Sequence, residues 1–161
     1  MYCYKHFISY TVVTETFYHK HDFDILLGIS DLTTVGGRIR FYRLSHGLLQ
    51  EEVAAIAGTD VCTIKRYENN QCKHSLDICN KITKAIRVDP SLLYDDYLAF
   101  IASEYGYKIK SIRKKLNLTQ ELFSKLMGVH RKTILRWEKE TLCPSREHYN
   151  LLAQLDDIQD Y

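Results

Sequence analysis

Leu49-Gln50-Glu51-Glu52-Val53-Ala54, then Gly58, Thr63-Ile64 and Arg66-Tyr67-Glu68, returns seventy residues on as Thr119-Gln120-Glu121-Leu122-Phe123-Ser124, Gly128, Thr133-Ile134 and Arg136-Trp137-Glu138. The agreement reaches backwards as well, where Ile39, Arg43 and Leu48 answer to Ile109, Arg113 and Leu118. No gap interrupts the match between Ile39 and Glu68. The chain therefore carries one small device twice, and a repeat of this kind fixes the organisation before any local reading does.

Each copy reads as short helices joined by tight turns. Apolar residues three apart, Ile39/Tyr42 and Ile109/Ile112, mark one buried stripe over residues 37–44 and 108–115. Ser45-His46-Gly47 and Leu116-Asn117 turn the chain. A second helix begins near Gln50 and Gln120, with Thr119 as a cap and with Glu51, Glu52 and Glu121 suited to the positive end of the helix dipole. Leu122 stands where a full capping box would place an acid, so only the simple cap is open to the second copy. Gly58 and Gly128 end that helix in the left-handed conformation. A third helix follows over residues 60–69 and 130–140. Ala54 and Ser124 are small where two helices cross steeply, and Val53, Ile64, Phe123, Met127, Val129 and Ile134 supply core beneath them.

Composition bounds the class. A chain of 161 residues with 45% hydrophobic and 26% charged residues suits one or two small soluble domains. No segment approaches the ~20 apolar residues that span a membrane, and Met1 to Tyr18 lacks the basic start and apolar run of a signal peptide. Cys3, Cys62, Cys72, Cys79 and Cys143 are odd in number and follow no paired spacing, which argues against a disulfide framework or a zinc site and favours a reducing cytoplasm. The charge is uneven: residues 37–89 hold nine basic against six acidic residues (+3) and residues 107–155 eleven against four (+7).

The repeated pattern resembles the Cro and lambda-repressor type of helix-turn-helix, the XRE-like family, over roughly residues 36–104 and 107–155. The resemblance rests on Gln50 and Gln120 opening helix two, Ala54 and Ser124 four later, Gly58 and Gly128, Ile64 and Ile134, Glu68 and Glu138, with Arg43 and Arg113 seven earlier. It implies an all-α fold, two lambda-repressor-like bundles in tandem, each placing its third helix in the major groove of double-stranded DNA, with the family's fifth helix found only in the first copy. The organisation expected is an N-terminal segment over 1–35, a first bundle over 36–104 and a second over 105–161.

What the resemblance implies can be carried over residue by residue. Gln50 and Gln120 touch phosphate and brace the third helix, a placement that suits the anion-binding end of a helix. Bases are reached from Asp60, Val61, Cys62, Lys65 and Arg66 in the first copy, and from His130, Arg131, Lys132, Leu135 and Arg136 in the second. The second set is the better reader, because Arg can grip guanine with two hydrogen bonds while Val61 and Cys62 offer only apolar contact to a thymine methyl. Arg43 with Glu68, and Arg113 with Glu138, form structural ion pairs between helix one and the end of helix three. Tyr67 and Trp137 read as core aromatics. The basic excess on both copies fits a phosphate-binding surface, though a solvated face is its commoner fate.

Beyond the third helix the copies diverge. Cys143-Pro144-Ser145 opens a fourth helix through Tyr149, Leu151, Leu152 and Leu155, and His74-Ser75-Leu76 opens one through Ile78, Ile82 and Ile86. Asp89-Pro90-Ser91 then predicts the cap and first turn of a fifth helix running from Leu92 to Glu104, free to pack on either copy or on another subunit. Tyr2 to Thr14 is rich in aromatic and β-branched residues and favours a strand. His19, His21, Asp22 and Asp24 could be drawn as a metal site, but clustered polar residues at a turn are the commoner explanation.

No phosphate loop, G-x-S-x-G or metal-ligand array appears, so the sequence points away from an enzyme, a metal and a cofactor. The expectation is a sequence-specific regulator of transcription, a repressor from a phage or bacterial mobile element, binding DNA as a homodimer or as an intramolecular pseudo-dimer. The alternative is a protein-binding module, an antitoxin or a phage-encoded inhibitor of a host nuclease, that regulates its own gene through one helix-turn-helix and holds a protein through residues 1–35.

Overall fold

The computed structural model describes residues 31–157. The expected N-terminal strand, the residues 1–30 side of the protein-partner expectation and the His19/His21 cluster lie outside the described residues. Among those described there are nine α-helices, one 3-10 turn and no strand. No helix among them is long and apolar enough to cross a membrane. The chain divides into two compact units after Leu93.

The first unit contains α1 (Val35–Ser45), α2 (Gln50–Ala57), α3 (Val61–Glu68), α4 (Leu76–Ile86) and a 3-10 turn (Pro90–Leu92). Thr34 caps α1 by accepting from the Gly37 amide, and Ser75 caps α4 by accepting from Ile78. Ile39 of α1, Val53 of α2, Ile64 of α3 and Ile82 and Ile86 of α4 meet in the core, closed below by Leu93. The second unit contains α5 (Asp96–Ala102), α6 (Tyr105–Lys115), α7 (Gln120–Leu126), α8 (Arg131–Glu138) and α9 (Arg146–Asp157). Its core joins Ile109 and Ile112 of α6, Phe123 of α7 and Met127 just past it, Ile134 and Trp137 of α8 and Leu152 of α9, with Phe100 and Ile101 of α5 packed against it. Tyr67 and Trp137 are both buried, as core aromatics should be.

Three turns in each unit close alike. In every case a residue one or two past the helix has positive φ, the next amide reaches five residues back, and the helix ends as a Schellman motif. Gly47 and Asn117 do this after the first helix, with Leu48 and Leu118 donating to Arg43 and Arg113. Gly58 and Gly128, each at φ 64°, do it after the second, with Thr59 and Val129 donating to Ala54 and Ser124. Asn70 and Glu140 do it after the third.

The predicted fifth helix from Leu92 to Glu104 is corrected. Asp89 caps only the short turn Pro90–Leu92, accepting from the Ser91 amide and hydroxyl. The chain then restarts at Asp95, whose carboxylate accepts from the Leu98 amide and caps α5. Two capping aspartates six residues apart each start their own segment, so one continuous helix gives way to two. The first compact unit ends at Leu93, a helix earlier than the boundary drawn at residue 104. α5 packs with the second unit: the Tyr97 hydroxyl donates to the Pro144 carbonyl at 3.0 Å, and Asp95 pairs with Arg146 at 2.5 Å. Arg146 also lies 4.4 Å from the centre of the Tyr97 ring.

Candidate nucleic-acid interface

In each unit the third helix is held by its buried side and leaves the other side open. Ile64 and Tyr67 anchor α3, and Ile134 and Trp137 anchor α8, at spacings that keep them on one face. Cys62, Lys65 and Arg66 of α3 are exposed, with Val61 half-buried. On α8, Arg131, Lys132, Leu135 and Arg136 are exposed.

The glutamate that ends each of these helices is a locked hub. Glu68, fully buried at its side chain, receives Arg43 Nε at 2.5 Å, Arg43 Nη2 at 2.9 Å and Gln50 Nε2 at 2.8 Å. Arg43 Nη1 donates in turn to the Leu48 carbonyl at 2.8 Å. Glu138 repeats this with Arg113 at 2.6 and 3.3 Å and Gln120 at 2.8 Å, while Arg113 donates to the Leu118 carbonyl at 3.0 Å. A fork-to-fork Arg–carboxylate pair fixes direction as well as distance. The hub thus ties the start of helix two and the turn before it to the end of helix three. Gln50 and Gln120, the first residues of α2 and α7, spend one amide hydrogen on the glutamate and keep the other.

A sequence model of the helix-turn-helix family, of the Cro and lambda-repressor (XRE) type, matches residues 39–93 and again 109–159. The chain belongs to this family. No curated protein and no solved structure matches it. As a tandem XRE-type helix-turn-helix protein it is a DNA-binding protein, with α2–α3 and α7–α8 as the two helix-turn-helix pairs.

The residues singled out from sequence fall into two groups in this helix-turn-helix protein. Lys65, Arg66, Cys62, Arg131, Lys132, Leu135 and Arg136 share the outward faces of α3 and α8. Asp60 and His130 are instead the N-caps of those helices. Asp60 accepts from the Thr63 amide at 2.8 Å and the Thr63 hydroxyl at 2.6 Å, and the hydroxyl above all, then the amide, holds the Asp60 carboxyl below the usual carboxylate range. A fixed anion thus stands at the head of α3. His130 Nδ1 accepts from the Lys132 amide at 3.1 Å, which places the ring proton on Nε2 as an outward donor. The two units therefore offer an approaching phosphate or base opposite chemistry at one position.

Sequence reasoning missed one pair of contacts that also sets these helices. Asn70 Oδ1 accepts from the Gly36 amide at 3.0 Å, and Glu140 Oε1 accepts from the Gly106 amide at 2.9 Å. Asn70 and Glu140 sit at φ 54° and 57°, a conformation that disfavours side chains, and each uses its side chain to tie the end of helix three to the start of helix one. The glycines are needed because the helices touch there: a Cβ on Gly36 would stand 2.3 Å from the Tyr67 carbonyl oxygen, and one on Gly106 2.8 Å from that of Glu138. A signal was present, since Gly36 and Gly106 are themselves seventy residues apart.

Proposed function

We propose that this chain is a sequence-specific regulator of transcription that reads double-stranded DNA in the major groove, with α8 as the principal reader and α3 as a weaker one. The observation that carries the reading is the locked hub in both units, with a row of Lys and Arg left exposed on the helix it holds. A rigid helix with free cations and no internal use for them is what groove reading needs. Base contacts fall to Arg131, Lys132, Arg136 and the Nε2 donor of His130, supported by Leu135 against a thymine methyl. Lys65, Arg66, Val61 and Cys62 supply a poorer set beside the Asp60 anion, so the first unit favours shape or A·T content. Gln50 and Gln120 take phosphate with their remaining amide hydrogen.

The regulator acts as a repressor by occupying promoters, in a bacterial cytoplasm and within a phage or mobile element, and it works without enzyme activity or a cofactor. One chain with two readers binds as a pseudo-dimer, with unlike half-sites about one turn (~34 Å) apart, and a homodimer would double that span. Selection of bound duplexes from a random pool at about 150 mM salt tests this, because non-specific phosphate binding is already weak there. An enriched motif with two unlike halves is the expected result. A pool without enrichment sinks the reading and leaves a protein partner as the ligand.

A further inference from the structure

α1 and α6 are the same helix in register, and their outward faces part at three positions. Gly37 lies against the backbone of Asp31, whose carbonyl oxygen would stand 1.7 Å from a Cβ there; its counterpart Tyr107 is 71% exposed. Arg40 reaches to 3.9 Å from Glu68, whereas its counterpart Lys110 is exposed and makes no ion pair among the described residues. Leu44 is half-buried, whereas Lys114 is exposed and likewise unpaired. The side that the first unit uses for its own packing is, in the second, a stripe of one aromatic and two cations. Ser111 and Lys115 complete a shallow recess of about 400 Å³ along it.

Folding gives this stripe no support. α6 holds five basic residues and no acid. Three of the five are satisfied: Lys108 lies 5.8 Å from the centre of the Phe100 ring, Arg113 pairs with Glu138, and Lys115 pairs with Asp156 at 2.8 Å. Lys110 and Lys114 remain, one turn apart, where like charges repel. Lys110 also lies ahead of the last turn, outside the reach of the negative helix end that favours a cation. An anion laid along the stripe would relieve this repulsion, with the Tyr107 and Ser111 hydroxyls as further donors.

We propose that Tyr107, Lys110 and Lys114 form a second phosphate-binding surface, which takes the backbone of duplex DNA flanking the site that α8 reads. The inference rests on the reading of α8 given above. The test compares the full chain on the shortest duplex carrying its selected site with the same site extended at both ends by arbitrary sequence, from about 50 to 200 mM salt. The extended duplex should bind more tightly, and the logarithm of its affinity should fall more steeply with the logarithm of salt by about two, at roughly 0.9 per phosphate contact. The Lys110→Gln/Lys114→Gln variant should lose this increment and keep its short-duplex affinity, with a Tm no lower than that of the wild type. An extended duplex that binds no better, or an increment that survives the double substitution, overturns this surface alone. A folded chain that binds neither duplex overturns the reading of α8 and this surface with it.

Discussion

α3 and α8 are the same helix built twice, and they differ most on the face turned away from the core. Ile64 and Ile134, Tyr67 and Trp137, and Glu68 and Glu138 do equivalent work against the core and the hub. At the head of the helix Asp60-Val61-Cys62 gives way to His130-Arg131-Lys132, with a side-chain cap kept at the first position. Buried positions are fixed by packing and by the cost of an unpaired charge, while exposed ones answer only to what they touch outside the chain. Under the proposed function, this difference favours stronger base reading by the second unit over the acid-capped first.

Breaking the hub gives the largest effect. Glu68→Ala strands Arg43 in a buried site and should cost about 3–5 kcal/mol, as one-sided removal of a buried pair does. Glu138→Ala should cost less, because Arg113 and Glu138 keep some solvent access, at 13% and 6% of their side-chain surfaces. Calorimetry of the full chain, following the transition of each unit, checks the order, and equal losses would remove the asymmetry argued for the two hubs.

Overpacking the contact between helix one and helix three comes next. Gly106→Ala and Gly36→Ala each drive a Cβ into a backbone carbonyl and should cost about 1–3 kcal/mol. Gly36 should be the worse of the two, with its obstacle at 2.3 Å. Denaturant midpoints measure this directly.

The readers themselves sharpen the comparison. Arg136→Ala should lose about 1–3 kcal/mol on the selected duplex and relax base preference, whereas Gln120→Ala should weaken all duplexes alike. Lys65→Ala in the first unit should shift specificity less than Arg136→Ala, and competition between selected and random duplex reads the ratio. A larger loss of specificity at Lys65 would reverse the assignment.

The caps give the smallest effect. Asp60→Ala should lower helix stability slightly yet improve DNA affinity by removing an anion, and Asp60→Asn should keep the cap while gaining the same affinity. The Asp60 carboxyl is held below its ordinary value of 3.8 in the fold, so its contribution is full above that value and disappears as acid takes the pH through the lower folded value. Acid titration of the wild type against Asp60→Asn, with helix content as readout, should therefore separate only below about pH 4.

Much of this was legible from residues. The repeat placed Gln50, Gly58, Ile64 and Glu68 at fixed intervals, and a helix-turn-helix follows from such intervals because the small residue, the left-handed glycine and the buried apolar side chain each answer a local steric need. Helix three starts a residue later than its pattern predicts, because the Asp60 and His130 side chains cap it and do not extend it. Both roles suit the same residue types, and only the position of the Thr63 and Lys132 amides distinguishes them. The predicted Leu92–Glu104 helix failed for a related reason. Asp95 resembles any exposed acid in sequence, and its capping bond to Leu98 shows only in three dimensions.

The sequence by itself determined that the molecule is a duplicated helix-turn-helix and which residues occupy equivalent places in its two copies. Periodicity and turn chemistry are local, so they can be read along the chain. Only the tertiary structure decided that α5 packs with the second unit, that Asn70 and Glu140 hold the ends of the third helices to Gly36 and Gly106, and that Tyr107, Lys110 and Lys114 stand unused by the fold. Those outcomes depend on which groups meet across distant segments, where burial and hydrogen bonding select among partners that are equivalent in sequence.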